Sequence, residues 1–179
     1  RKCVRVCREL QGRDVLTASG RGVFRHKEPP LNHGLGNSRC VSCGNCISVC
    51  PVGALVPKRN IPFENDEIKK TRTTCVYCGV GCQMNLLTKG DKVVGTEPLD
   101  VVPNNGLLCV KGAFAYNFVN HKDRLKTPLI KKDGIFVESS FDEAIAFIAE
   151  KLTNIKKIYG RESIAGLTSA RCTNEENYL

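Results

Sequence analysis

Residues 40–57 read CVSCGNCISVCPVGALVP, and the spacing of Cys40, Cys43, Cys46 and Cys50 decides what kind of chain this is. Three thiols two residues apart, a fourth after three more and then Pro51 make the C-x2-C-x2-C-x3-C-P run that binds 4Fe-4S clusters. Three thiolates on a tight loop grip three irons of one cubane, while the fourth, carried on the following helical turn, points away towards a second cluster. Gly44 and the small Ser42 and Asn45 let backbone amides approach the sulfurs. Pro51 fixes φ at the end of the run, and Val52, Ala54, Leu55 and Val56 are expected to supply apolar cover that keeps water off the cluster. A structural zinc site needs only four such ligands, commonly with His among them, and the run closed by Pro is specific against it.

Working upstream, a two-cluster ferredoxin needs a second copy of the motif. Cys3 and Cys7 in RKCVRVCREL have the spacing of its third and fourth ligands, so the first two would lie just upstream of Arg1. By the cross-ligation rule Cys7 joins Cys40, Cys43 and Cys46 on one cluster, and Cys50 joins Cys3 on another for which this sequence holds half the ligands. A Cys3–Cys7 disulfide is the alternative, but so many free-thiol ligand motifs imply a reducing compartment, the cytoplasm. Arg at residue 1 and a single Met, at 84, read as a piece of a longer chain.

Working downstream, residues 57–72 are polar, charged and broken by Pro57 and Pro62, as expected of a surface connection. Then Cys75, Cys78 and Cys82 stand as C-x2-C-x3-C, and Cys109 follows after 26 further residues. Those four close one 4Fe-4S cluster unaided. Met84, Leu86, Val93 and Val94 alternate around Lys89-Gly90-Asp91, which predicts a hairpin folding Cys109 back onto the loop. A zinc ribbon would bring two close pairs, whereas here three thiols cluster and one is remote.

Beyond residue 128 the pattern changes. Leu129 to Val137 predicts a hairpin turning at Lys132-Asp133-Gly134. Ser140 and Glu143 form a capping box for a helix carrying Phe141, Ala144, Ile145, Ile148, Leu152 and Ile155 on one face and closed by Gly160. Ile164 to Thr168 reads as a buried strand, giving a βα unit entering a doubly wound sheet. The organisation expected is α+β: a ferredoxin-like two-cluster domain at 1–60, a linker at 61–72, a small β-rich 4Fe-4S domain at 73–127 and the start of an α/β domain at 128–179.

CVYCGVGC with a remote CVKG resembles the N-terminal cluster domain of the molybdenum or tungsten bis-pterin oxidoreductases, and is most similar to formate dehydrogenase catalytic subunits. SARCTNEENYL is similar to a segment that in this family contacts a pterin guanine dinucleotide. The stretch from CVRVCRELQG to CPVGAL resembles the ferredoxin-like extension of NAD-dependent members and of the complex I large iron–sulfur subunit. The resemblance covers nearly the whole chain. It implies three 4Fe-4S clusters and a Mo or W bis-molybdopterin guanine dinucleotide, with formate or CO2 as substrate. It makes Lys111 the bridge between cluster and pterin, and Arg171, Thr173 and Asn174 dinucleotide contacts. Electrons would pass to a flavin-containing diaphorase or a hydrogenase-type partner. No catalytic residue falls within the sequence, since the family's metal-ligating Cys or selenocysteine comes later; Cys172 is expected to be a small packing residue. A complex I-type subunit without pterin, or a ferredoxin-like carrier, is the rival reading. Lys111 and SARCTNEENYL argue against the first, and the βα region against the second.

Charge fits this picture. The chain has 179 residues, 11 Cys and a formal net charge of +9, which three four-thiolate clusters at about −2 each reduce to about +3. The basic residues are spread out and no nucleic-acid-binding spacing accompanies them. No apolar run approaches the ~20 residues of a membrane span. His26, His33 and His121 lack partner ligands at metal spacing and read as ordinary histidines.

Overall fold

The computed structural model describes residues 1–29, 34–58 and 64–179, so His33 lies outside the described residues. The chain divides into two compact units, Arg1–His121 and Lys122–Leu179. The two expected iron–sulfur regions thus share one body.

The first unit opens with helix α1 (Lys2–Arg5), which passes into a π-turn over Val6–Leu10 closed by the Gln11 N–H on the Val6 carbonyl at 3.0 Å. Single π-turns of this kind favour functional sites. Strands β1 (Thr17–Ser19) and β2 (His26–Glu28) pair antiparallel, and helix α2 (Asn45–Ser48) follows with Gly44 at its N-cap at φ 77°. Val6, Val15 and Leu16 are buried.

A three-stranded antiparallel sheet comes next, ordered β3 (Lys69–Thr74), β4 (Gln83–Lys89), β5 (Lys92–Pro98). Strand β3 corrects the linker expected at 61–72, whose last residues from Lys69 onward pair with β4 from Lys69↔Thr88 to Thr74↔Gln83. The β4–β5 hairpin forms as expected around Gly90-Asp91, but the register shifts at Leu87/Thr88. Met84 and Leu87, not Met84 and Leu86, are buried. Residues three apart on a strand face opposite sides of the pleat, so the sheet is packed on both faces. Val93, Val94 and Leu108 complete this core. Helix α3 (Val110–Phe114) begins immediately after Cys109 and lies against β5, where the Thr96 hydroxyl donates to the Gly112 and Ala113 carbonyls at 2.8 and 2.9 Å.

The second unit holds the hairpin β6 (Leu129–Lys132) and β7 (Ile135–Glu138), joined by Asp133 and Gly134 at φ 50° and 85° as a two-residue turn demands. Helix α4 (Phe141–Tyr159) carries the predicted capping box and stops at Gly160. Its apolar residues Phe141, Ile145, Ile148 and Leu152 are exposed. The strand expected over 164–168 is not formed: Ile164 is extended, but among the described residues no strand pairs with the segment, and Leu167 is fully exposed. A lone extended segment has no ladder to join, so the βα unit is reduced here to a hairpin and a helix. Helix α5 (Asn174–Tyr178) ends the chain. Among the described residues no helix is long and apolar enough to cross a membrane.

Candidate functional site

Cys7, Cys40, Cys43 and Cys46 line one cavity of about 510 Å³. The π-turn presents Cys7, whose Sγ accepts the Val15 N–H at 3.4 Å, and the Cys40 Sγ accepts the Ser42 N–H at 3.4 Å. Such N–H to sulfur contacts stabilise negative charge on the sulfurs. Burial, then Cys43, and further Cys40 and Cys7, push the Cys46 thiol above its ordinary range, while the Ile47 N–H opposes them. Mutual repulsion of this kind is what a bound cation cluster relieves. Arg13 and Lys58 bring positive charge to the same cavity.

Cys50 sits elsewhere, beside Cys3, in a second cavity of about 440 Å³ that Arg1, Lys2, Arg25 and Lys27 also line. The backbone N–H groups of Leu55 and Val52, with those of Ala54 and Gly53, hold the Cys50 thiol below its ordinary range against desolvation. The segment after Pro51 thus supplies donors that the sequence did not announce. Val52 is 80% exposed and Ala54 and Val56 are exposed as well. The stretch contributes backbone donors around a sulfur, and Val52, Ala54 and half-buried Leu55 line that cavity while Val56 lines the first. Cys3 and Cys7, both free thiols, line different cavities.

The third group gathers around the sheet's end. The Cys75 N–H donates to the Cys82 carbonyl at 2.8 Å, closing the C-x2-C-x3-C loop. Burial and then Cys75, Cys78 and Cys109 raise the Cys82 thiol, so the remote fourth cysteine stands with the other three. Two residues that sequence reading did not single out deliver it there. Asn104 Oδ1 accepts the Gln83 N–H at 2.7 Å, and its Nδ2 donates to the carbonyls of Gln83, Leu99 and Leu107. Tyr77, between Cys75 and Cys78, donates its hydroxyl to the Ala115 carbonyl and packs edge-on against Phe118 at 6.1 Å. Gly112 is buried, and a Cβ there would stand 3.2 Å from Leu108 and 3.7 Å from the Cys75 sulfur. Lys111, its neighbour on α3, is exposed.

The thiols surround space and do not converge on a point. Among the described residues no three Cys, His, Asp or Glu side chains come together closely enough for one metal ion.

The two groups of four are joined through α2. Asn45, 1% exposed, accepts the Leu108 N–H at 3.0 Å on its Oδ1. A Cβ on Gly44 would stand 2.9 Å from the Phe114 ring. The loop of the first group therefore lies directly against the backbone that bears Cys109.

In the second unit Thr173 caps α5, its hydroxyl oxygen accepting the Glu176 N–H at 3.2 Å, while Arg171 and Asn174 are exposed. Cys172, expected to pack, is an exposed thiol in the turn before this helix, since no neighbouring element covers that turn among the described residues. His121 is exposed, and His26 bonds the Phe24 carbonyl and Glu28.

Residues 1–54 match the 4Fe-4S dicluster domain, residues 68–121 the molybdopterin oxidoreductase Fe4S4 domain, and residues 124–179 the molybdopterin oxidoreductase domain. "Probable oxidoreductase YjgC" of Bacillus subtilis (strain 168) is 34% identical over 222 aligned residues that cover 99% of this chain and 22% of that protein. "Putative formate dehydrogenase YrhE" of the same strain is 46% identical over 112 residues, 62% of this chain and 11% of that protein. "Putative formate dehydrogenase SAV2309" of Staphylococcus aureus (strain Mu50 / ATCC 700699) is 30% identical over 99% of this chain and 22% of that protein. The chain thus spans about a fifth of the length of the relatives it matches from end to end. With a dicluster segment, an Fe4S4 segment and a pterin-domain segment following one another in that order, the chain belongs to the molybdopterin oxidoreductase family.

Proposed function

We propose that this chain is the iron–sulfur conduit of a formate dehydrogenase catalytic subunit, carrying electrons between a Mo or W bis-pterin centre and a redox partner subunit. The observation that supports it best is the direct seating of one thiol group on the other, through Asn45–Leu108 and Gly44–Phe114. Electron transfer between clusters needs close, rigid placement, and a buried hydrogen bond with a glycine contact gives both.

In this reading Cys75, Cys78, Cys82 and Cys109 hold one 4Fe-4S cluster, Cys7, Cys40, Cys43 and Cys46 a second, and Cys3 with Cys50 half of a third. The donor sets fit: each is all-thiol and meets backbone N–H groups or neighbouring thiols whose charge a cluster offsets. When bound, the pterin-held metal supplies the two-electron interconversion of formate and CO2, and the clusters supply one-electron relays. The protein's part is to hold and tune. Lys111 keeps an ammonium beside the Cys75 group, where it screens cluster charge and offers hydrogen bonds to a pterin. Arg171 offers a bidentate fork to a dinucleotide phosphate, with Thr173 and Asn174 beside it at the start of α5. Cys3 and Cys50 face the exit towards a diaphorase- or hydrogenase-type partner. So many free-thiol ligand motifs support a reducing compartment, the cytoplasm.

The test is metal and redox analysis of the full-length enzyme prepared without oxygen. Iron and acid-labile sulfide for three four-iron clusters, together with Mo or W, and bleaching of cluster absorbance by formate support the proposal. Iron without Mo or W points to a complex I-type subunit, and iron with metal but no bleaching points to a different substrate.

A further inference from the structure

Asn45 is buried more completely than any other polar side chain among the described residues, yet half of its amide has no partner. Its Oδ1 takes the Leu108 N–H at 3.0 Å, which settles the orientation of the group, because an N–H requires an acceptor and the amide oxygen is the end that provides one. The Nδ2 is then enclosed from solvent and bonded to nothing. An amide donor stripped of water and left unpaired is destabilising, and such groups in folded proteins have a reason.

The surroundings supply one. Asn45 directly precedes Cys46 and lines the same cavity as Cys7, Cys40, Cys43 and Cys46. Residue 45 is the first of helix α2, and Gly44 in the left-handed region, packed under Phe114, fixes where its side chain starts. Cysteinate and sulfide sulfurs are acceptors, and their negative charge grows when a cluster takes up an electron. A donor aimed at such a sulfur favours the reduced form.

We infer that the Asn45 amide is a positioning residue between the two thiol groups: its Nδ2–H donates to a sulfur of the cluster held by Cys7, Cys40, Cys43 and Cys46, while its Oδ1 anchors the backbone one residue before Cys109. The inference rests on the reading that these four thiols hold a cluster. One side chain then both raises the reduction potential of the receiving cluster and fixes its place against the donating one. No proton moves and no bond is made or broken; the electron taken up comes from the reductant of the assay.

The experiment uses the full-length holoenzyme and follows, by EPR during dithionite titration, the cluster whose signal Cys43→Ala abolishes. Asn45→Leu keeps much of the volume and removes the donor. Its reduction should become about tenfold less favourable, a fall of about 59 mV for a one-electron couple. Asn45→Asp keeps an acceptor for Leu108 and puts an oxygen where the donor was, so its fall should be larger. A second measurement needs no substitution: with asparagine labelled by nitrogen-15 in the side-chain amide only, the reduced parent cluster should show a weak nitrogen coupling in pulsed EPR. Unchanged midpoints in both variants with the cluster retained, or no nitrogen coupling in the parent, overturn the inference and mean that a buried water takes the amide. A parent enzyme in which Cys43→Ala removes no cluster signal overturns the underlying reading as well, so the two failures are told apart.

Discussion

Asn104 pairs with the backbone of Gln83 in both directions, its Oδ1 accepting the Gln83 N–H at 2.7 Å and its Nδ2 donating to the Gln83 carbonyl at 3.1 Å. The side chain acts as one more peptide group at the start of β4, directly after Cys82. Asn120 does the same for Val93 on β5, accepting its N–H at 3.2 Å and donating to its carbonyl at 2.6 Å. Asn104 also ties down Leu99 and Leu107, so the long loop before Cys109 is held to the strand that follows Cys82.

Asn104→Ala removes these bonds, which at ~1 kcal/mol each amounts to about 2–4 kcal/mol of stability. Cys109 should then be poorly held. Iron analysis of the holoenzyme is expected to show the Cys75-group cluster lost or labile, with the other clusters retained. Asn104→Asp, which keeps the acceptor for Gln83, should recover part of the loss. Full cluster occupancy in Asn104→Ala would mean that the sheet alone delivers Cys109.

Gly44 has two reasons to be glycine, and Gly12 has one. Both lie at positive φ, 77° and 62°, but a Cβ on Gly44 would meet the Phe114 ring whereas one on Gly12 would meet nothing within 4 Å. Gly12→Ala should therefore cost about 1 kcal/mol of strain, and Gly44→Ala about 2–4 kcal/mol because the ring must also give way. Thermal unfolding of the two holoproteins measures the difference. Equal losses would show that α2 and α3 are not tightly seated.

His26 offers a pH test. The Phe24 carbonyl and then Glu28 raise its pKa above the ordinary value. Glu28 is lowered by a hydrogen bond with Ser19 and then by His26. For the imidazole, a raised folded pKa means that the added stability is fully present below about 6.5 and is lost as pH rises through the folded value. Side-chain NMR of His26, identified by its disappearance in His26→Gln, should give a midpoint above 6.5, and Glu28→Gln should lower it. A midpoint at or below the ordinary value in the parent contradicts the assignment.

Lys111→Met in the full-length enzyme should keep iron and Mo or W, because the side chain is an exposed non-ligand on α3. Stopped-flow reduction of the Cys75-group cluster by formate should slow by orders of magnitude, with Arg restoring only part, since its planar fork does not reproduce a compact ammonium. Transfer at the parent rate would make Lys111 a surface charge.

What the sequence revealed follows from how local each signal is. Cysteine spacing, the Asp133-Gly134 turn and the Ser140–Glu143 box are encoded within a few residues and are present as expected. Strand β3 was hidden because its residues KKTRTT are nearly all exposed, leaving no alternation to read; its place is set by pairing with β4. Asn104 and Asn120 were equally hidden, and Asn45 was legible only as a small residue beside the sulfurs, not as the acceptor for Leu108. An asparagine between strands looks like a turn residue until the distant backbone it imitates, 63 residues away for Asn45 and Leu108, is in place. The expected strand at 164–168 failed for the complementary reason: its apolar residues are legible, but a strand exists only with a neighbour.

If formate reduces the clusters held by these thiols one after another, freeze-quench EPR of the full-length enzyme mixed with formate resolves the order. The Cys75-group signal should grow first and that of the Cys7, Cys40, Cys43 and Cys46 group should follow, and Cys43→Ala should keep the first signal while losing the second. Clusters that stay oxidised in the presence of formate, or stoichiometric zinc in place of iron, would contradict the proposed function.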